Sequence, residues 1–241
     1  MTELKLPQKI KDRLEEFTER LKAIYKDGLL SVILYGSAAS GEYSTKHSNI
    51  NLAIVLDDAS LASLSKISKL VSARRYRSFN PVFFTEDYIR NSSDVFPIEF
   101  LDMKDNHVLL YGRDVLKDLN IDIRHLRFQC EQELKSKLIN IKRLYLHNPD
   151  KQALKNLLFR SSTSVLHLLR NLIRLKGATP AYSKEDAVKA IAQEFKIDSA
   201  NFNNILAAKN SNLRLRHSQL DSLFRAFVSD LEKITDTVDR L

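Results

Sequence analysis

The chain is poor in cysteine and contains no tryptophan or long apolar run. Its single cysteine, Cys130, cannot form an intrachain disulfide or a cysteine metal site, which excludes secreted disulfide scaffolds and zinc fingers and predicts a reducing, cytoplasmic location. No stretch approaches the roughly 18 to 20 apolar residues of a membrane helix. The first residues, MTELKLPQKIKDRLEEF, lack the apolar region of a secretory signal. We therefore expect neither membrane insertion nor secretion.

Glycine is also scarce, since the 241 residues include only 5 glycines. An average share of about 7% would supply roughly three times as many. Each glycine is therefore expected to mark a position where the backbone needs one. Two of them, Gly36 and Gly41, lie close together in the chain.

The composition, 44% hydrophobic and 28% charged, is that of a folded protein. The net charge of +8 is unevenly distributed. Residues 1–118 contain 17 basic and 17 acidic residues, whereas residues 119–241 contain 21 basic and 13 acidic ones. This asymmetry predicts two domains with these bounds, the second of which faces nucleic acid or an acidic protein. A solvated basic surface is the alternative interpretation.

Hydrophobic periodicity predicts an α/β domain over residues 1–118. Apolar residues at three- and four-residue spacing predict helices over 7–27 and 61–72. Short apolar runs predict strands over 29–35, 49–56, 79–84 and 96–103. Strands that alternate with helices are typical of α/β domains.

Residues 119–241 predict an all-α helical bundle. Helical periodicity covers 121–146, 151–176, 183–195, 201–208 and 218–241. Gly177 lies where the second of these helices is expected to end. The long apolar-faced helices are also compatible with a homodimer.

One stretch of the chain carries a pattern with a chemical meaning. A buried strand runs into Gly36-Ser37, and after an eleven-residue spacer Asn49-Ile50-Asn51 opens the next strand. Because residues i and i+2 of a strand share a face, Asn49 and Asn51 are expected to point together toward the end of the first strand. A glycine there lets phosphate oxygens approach backbone N–H groups, and the Ser37 hydroxyl adds a donor.

This arrangement resembles the nucleotidyltransferase fold of the DNA polymerase beta superfamily. That family has a hydrophobic strand, Gly-Ser or Gly-Gly, a spacer and Asp-x-Asp, and its aminoglycoside-type and minimal members add a helical bundle. The motif matches from Leu29 to Leu56, and beyond it the resemblance is architectural. The resemblance implies phosphate binding at Gly36 and Ser37 and phosphoryl transfer with two Mg²⁺ ions.

The residues that match the family's metal-binding aspartates depart from its pattern, because both are asparagines, Asn49 and Asn51. Two amides remove two negative charges, whereas Mg²⁺ prefers carboxylates. The sequence therefore predicts the fold without an intact catalytic centre, a metal or a cofactor. Glu99 and Asp102 are candidates for the third carboxylate. Asn80 matches that position equally well, and in that case all three metal-binding carboxylates would be replaced by asparagine.

Asp57 and Asp58 do not restore the missing pair. Adjacent strand residues point to opposite faces, and these two lie about 20 Å from Asn51 at roughly 3.3 Å per residue. They are expected to form a turn in which Asp58 or Ser60 caps the following helix.

Two further clusters are weaker candidates. Residues 74–77, Arg-Arg-Tyr-Arg, suit a phosphate or nucleic-acid contact, or the solvated end of a helix. Arg160 and His167 loosely fit an Arg…His pattern of HEPN ribonuclease domains, although His167 lies among apolar residues as a core histidine would. The histidines show no i, i+4 pair for a helical zinc site.

Three functions are compatible with these features. The first is an inactive or impaired nucleotidyltransferase-fold protein that binds a nucleotide or a partner, in a regulatory role. The second is an active enzyme that uses Glu99 or Asp102 with Mg²⁺ and a nucleoside triphosphate. The third is a nucleic-acid-binding or RNA-processing protein that acts through residues 119–241. Its expected contacts are Lys135, Lys137, Lys142 and Arg143.

Overall fold

The computed structural model describes residues 4–41, 43, 49–147, 150–178, 184–210 and 215–241. The chain divides into two compact units, Met1–Ile121 and Asp122–Leu241. Within the described residues, no helix has the length and apolar character to cross a membrane.

The N-terminal unit is built on a four-stranded mixed sheet in the order β3-β2-β1-β4. The strands are β1 (Leu29–Tyr35), β2 (Ile50–Leu56), β3 (Phe79–Phe84) and β4 (His107–Gly112). β1 is antiparallel to both β2 and β4, whereas β2 and β3 are parallel. The first three strands follow the apolar runs from which they are predicted.

Helices cover both faces of this sheet. They are α1 (Gln8–Tyr25), α2 (Ser37–Ser40), α3 (Leu61–Ser65), α4 (Ser68–Val71), α5 (Glu86–Ser92) and α6 (Pro97–Asp105). Phe17 and Leu21 of α1 are buried against one face, and Ile89 of α5 and Phe100 of α6 against the other. The α/β architecture predicted for this part of the chain is therefore confirmed.

The predicted strand over 96–103 is wrong, because these residues form α6. Pro97 starts the helix, a position that tolerates proline, and its buried residues Pro97, Phe100 and Met103 follow helical spacing. A short apolar run fits either periodicity, which is why the sequence misleads here. The fourth strand is β4, which begins two residues after α6 ends.

The predicted helix over 61–72 is two short helices, α3 and α4. The predicted cap is present, since Ser60 Oγ accepts a hydrogen bond from the Ser63 N–H at 3.3 Å. Asp58 bonds to the N–H and hydroxyl of Ser60, and these bonds lower the pKa of its carboxyl. It therefore belongs to the predicted turn.

Gly112 ends β4 in a close backbone contact with β1. Its φ is +79°, in the region that favours glycine. A Cβ at this position would lie 2.0 Å from the Leu30 carbonyl oxygen. Gly112 is thus a position where a side chain does not fit, as expected for a chain in which glycine is scarce.

The C-terminal unit is helical throughout the residues that the structure describes. Its helices are α7 (Ile123–His147), α8 (Lys151–Leu175), α9 (Lys184–Phe195), α10 (Ser199–Asn210) and α11 (His217–Asp239). α8 contacts each of the other four. It ends as predicted at Gly177, whose φ is +75°.

Candidate functional site

One end of the sheet in the N-terminal unit carries four polar side chains in a row, one from each strand. Tyr35 at the end of β1 lies opposite Asn51 of β2 and opposite His107 of β4. Asn51 in turn lies beside Asn80 of β3. We call these four residues the sheet-end row.

The amides of Asn51 and Asn80 are joined by a hydrogen bond. Asn80 Nδ2 donates to Asn51 Oδ1 at 3.2 Å. On its other side Asn51 approaches Gly36, where a Cβ would lie 3.2 Å from Asn51 Nδ2. Of the three candidates for the third position, Asn80 is thus the one that the fold places beside Asn51.

Asn49 precedes β2 and is exposed. Its two-residue spacing from Asn51 keeps it on the same side of the chain as that residue. Residues 44–48 of the spacer lie outside the described residues. Asn51 and the Gly36 turn therefore lie together at one end of the sheet, and Asn49 directly precedes the strand there.

Gly36 turns β1 directly into the short helix α2. Its φ of +73° favours glycine, and its N–H donates to the Asn106 carbonyl oxygen at 3.1 Å. The Gly36 N–H is therefore engaged within the protein. Ser37 and Ala38 are the first residues of α2, and the first N–H groups of a helix have no acceptor within that helix. A phosphate at this turn would therefore accept hydrogen bonds from these two N–H groups.

His107 is held between two hydrogen-bond acceptors. Its Nδ1 lies 2.8 Å from the Lys104 carbonyl oxygen and its Nε2 lies 2.9 Å from Asp114 Oδ2. Both are hydrogen bonds at once only when the imidazole carries two protons, because a carbonyl and a carboxylate can only accept. The two contacts fix the orientation of the His107 ring at the start of β4.

The Asp114 carboxylate is also bonded by the backbone N–H groups of Leu116 and Lys117. Partial burial favours the neutral carboxyl, but the bonds from His107 and these two N–H groups outweigh it and hold the pKa of Asp114 below its usual value. The neighbouring Tyr35 is neutral, because burial raises the pKa of its phenol. The row as a whole thus offers hydrogen-bonding groups and contains no carboxylate.

Glu99 and Asp102 lie on α6 and not on a strand. The buried residues of α6 are Pro97, Phe100 and Met103. Glu99 is exposed and Asp102 is half-buried. The structure therefore does not add either carboxylate to the sheet-end row.

The donor set of the row does not fit a pair of Mg²⁺ ions, which are held through carboxylates. Across the described ranges, no group of three or more His, Cys, Asp or Glu side chains is placed to hold a metal ion. Asp114, a carboxylate beside the row, is already bonded to His107.

The other sequence candidates are not part of the row. Tyr76 is a buried core residue whose ring meets that of Phe17 edge-on at 5.0 Å, and Arg75 pairs with Glu16. The aromatic residue of that basic cluster is therefore not available for stacking on a base. Arg160 is exposed on α8. The side chain of His167 lies outside the described residues.

Sequence reasoning missed Tyr35 and His107 as members of the row. The alternating segment His-Val-Leu-Leu-Tyr-Gly over 107–112 carries a usable strand signal, with Gly112 as its end. Placing the fourth strand there would have aligned His107 with the end of β1.

Known proteins supply an independent test of this fold. No protein-family model and no curated protein matches the sequence. Among solved structures, the chain is similar to spectinomycin adenyltransferase from Enterococcus faecialis, crystallised with ATP and spectinomycin. The TM-score is 0.56 at 12% identity, over 92% of this chain and 99% of that one. The fold is that of a nucleotidyltransferase.

A nucleotidyltransferase-like protein from Exiguobacterium sibiricum is also similar, with 14% identity and a TM-score of 0.37, over 93% of this chain and 75% of that one. The similarity to the adenyltransferase confirms the predicted nucleotidyltransferase fold, with an α/β N-terminal part and a helical C-terminal part. At 12% identity the similarity concerns the fold alone.

Proposed function

We propose that this nucleotidyltransferase-fold protein binds a nucleotide at the sheet-end row and has lost metal-dependent nucleotidyl transfer. The observation that carries the proposal is the amide pair of Asn51 and Asn80. These residues lie on adjacent strands beside the Gly36 turn, where the resemblance calls for carboxylates. Without those charges two Mg²⁺ ions would not be concentrated at the triphosphate.

The remaining groups suit binding without a metal. Ser37 offers its hydroxyl and N–H to a phosphate, and Ala38 offers its N–H. The amides of Asn49 and Asn51 can donate or accept hydrogen bonds. A nucleotide held in this way would owe its affinity to neutral donors, and Mg²⁺ would add little to it. The single, buried Cys130 is consistent with a reducing compartment such as the cytoplasm. There the bound nucleotide would have a regulatory role.

Calorimetric titration of the full chain with ATP, CTP and GTP, each with and without Mg²⁺, tests this proposal. We expect at least one nucleotide to bind with an affinity that Mg²⁺ changes by less than about threefold, which is under 1 kcal/mol. A parallel transfer assay with labelled triphosphate should show no turnover. Binding that requires Mg²⁺, together with turnover, would contradict the proposal.

A working enzyme with a rearranged metal site is the alternative. It is favoured by one observation, that α6 covers the same sheet face as Ala53 and Val55, two strand neighbours of Asn51. Turnover by the parent protein that Glu99→Gln or Asp102→Asn abolishes would establish this alternative.

A further inference from the structure

The cations of the C-terminal unit differ in whether they are neutralised. On α7, Lys135 pairs with Glu131 and Asp239, Lys137 with Glu133, and Lys142 with Glu232. Three of the four contacts predicted from the sequence are therefore already paired with carboxylates. α8 differs, because its 25 residues include no Asp or Glu. Its basic residues are Lys151, Lys155, Arg160, Arg170 and Arg174.

A ridge of three exposed residues runs along α8. Asn156, Arg160 and Ser164 follow one another at four-residue steps, so they lie on one face of the helix. A groove lies on each side of this ridge, and all three residues line both grooves. The ridge is thus the shared wall of two neighbouring cavities.

The first groove, of about 590 Å³, lies between α7 and α8. Its wall is mainly apolar, formed by Ile141, Leu144, Ala153 and Leu157. Lys137, which is paired with Glu133, also lines this groove. This groove can accept a flat apolar group while a charge remains at its edge.

The second groove, of about 480 Å³, lies between α8 and Lys209 of α10. Phe159 contributes an aromatic ring to its wall, and the Lys155 ammonium lies 5.5 Å from the centre of that ring. Lys209 Nζ donates to Thr163 Oγ1 at 2.6 Å, which fixes this cation at the groove. The second groove therefore combines an aromatic surface with positive charge.

All charged residues that line the two grooves are basic: Lys137, Arg160 and Lys209. Among the residues that the structure describes, no carboxylate pairs with Arg160. An exposed cation between two grooves with apolar walls, with a further cation, Lys209, in the second groove, is complementary to a chain in which anions alternate with flat rings.

We propose that the ridge and its two grooves bind a single strand of nucleic acid. Phosphates would contact Arg160 on the ridge and Lys209 beside it, and bases would enter the grooves and stack on Phe159. Asn156 and Ser164 would bond to phosphate or sugar oxygens. A duplex keeps its bases stacked inside, and an acidic peptide lacks the flat rings, so both match the grooves less well.

Fluorescence anisotropy of the full chain with a short labelled single-stranded RNA, and with the matching DNA, tests this proposal. Each phosphate contact adds about 0.7 to the salt slope on single strands, so two cations predict a slope magnitude of about 1.4. Arg160→Ala should lower that slope by about 0.7 and weaken binding by about tenfold. Phe159→Leu should weaken binding by about fivefold or more at an unchanged slope, because it removes a stacking surface.

Lys189→Glu is the matched control for Arg160→Glu, because Lys189 is an exposed cation on α9 that lines neither groove. We expect Arg160→Glu to abolish binding and Lys189→Glu to change affinity by less than about twofold. Equal losses in both variants would show an effect of net charge alone and overturn the proposal. Absence of binding at about 50 mM salt, or equal competition by duplex DNA or by polyglutamate, would overturn it as well.

Discussion

Asn80 Nδ2 donates a hydrogen bond to Asn51 Oδ1 at 3.2 Å across the parallel pair of β2 and β3. Each amide thus satisfies part of the hydrogen-bonding capacity of the other. Two carboxylates in these places would repel each other unless a cation lay between them. The two amides therefore need no metal ion between them to lie side by side.

Carboxylates in place of the asparagines at 49, 51 and 80 should restore metal affinity before they restore turnover. We expect Asn49→Asp/Asn51→Asp, and more strongly the triple variant with Asn80→Asp, to bind Mn²⁺ and Mg²⁺ at least about tenfold more tightly than the parent, since carboxylates favour both ions. Metal titration by calorimetry measures this. Asn91→Asp, on the exposed part of α5, is the control for added charge. Equal metal affinity in the triple variant and the control would contradict the assignment of these positions.

The turn at Gly36 provides a test that separates backbone strain from contact with Asn51. Gly36 has a φ of +73° and a ψ of −149°, a region that is essentially restricted to glycine, so Gly36→Ala should cost about 1–3 kcal/mol and should displace the Asn51 amide. Gly177→Ala has a similar φ of +75° but meets nothing within 4 Å, so it carries the strain alone. We expect both to lower the thermal midpoint and only Gly36→Ala to weaken nucleotide binding. Unchanged nucleotide affinity in a folded Gly36→Ala variant would show that the turn does not contact the ligand.

Gly112→Ala should be far more damaging than either of these substitutions. Its Cβ would lie 2.0 Å from the Leu30 carbonyl oxygen, so β4 and β1 would have to separate. We expect a loss of about 3 kcal/mol or more, in the range seen when overpacking and strain combine. Urea unfolding monitored by circular dichroism compares it with Gly177→Ala. Similar midpoints for the two variants would contradict the close contact.

Acid should weaken the contribution of Asp114. The pKa of its carboxyl is held below the usual value of 3.8, so the ionised group stabilises the folded state above that pH. This contribution is lost as the pH falls through the lowered pKa. We expect Asp114→Asn to be less stable than the parent at neutral pH, with the difference shrinking below pH 3.8.

Unfolding curves at several pH values measure this difference. Asp118→Asn, at a nearby exposed position, is the control and should follow the parent across the range. A deficit of Asp114→Asn that persists unchanged into strong acid would show that its cause is not the ionised carboxylate.

Much of the N-terminal fold could be predicted because its signals are local. β1, β2 and β3 are apolar runs bounded by polar residues, and Gly36-Ser37 stands directly after one of them. The segment 96–103 could not be assigned in this way, because a short apolar run fits a strand and a helix alike. That error moved the fourth strand away from His107.

The identity of the third position could not be decided from the sequence for a different reason. Asn80, Glu99 and Asp102 are all plausible by order along the chain. The parallel register that sets Asn80 beside Asn51 is a non-local pairing, which no local pattern specifies. The salt bridge between Lys142 of α7 and Glu232 of α11 is also non-local, because it depends on how the two helices pack.

The hydrogen bond from the Gly36 N–H to the Asn106 carbonyl oxygen can form only late in the folding of the N-terminal unit. It joins the turn after the first strand to the residue that immediately precedes the last strand, so almost the whole N-terminal unit must be synthesised before it can form. Contacts between such distant residues form late, because the loop between them must first be closed. On the ribosome the turn would therefore mature only after β4 has emerged and joined the edge of the sheet.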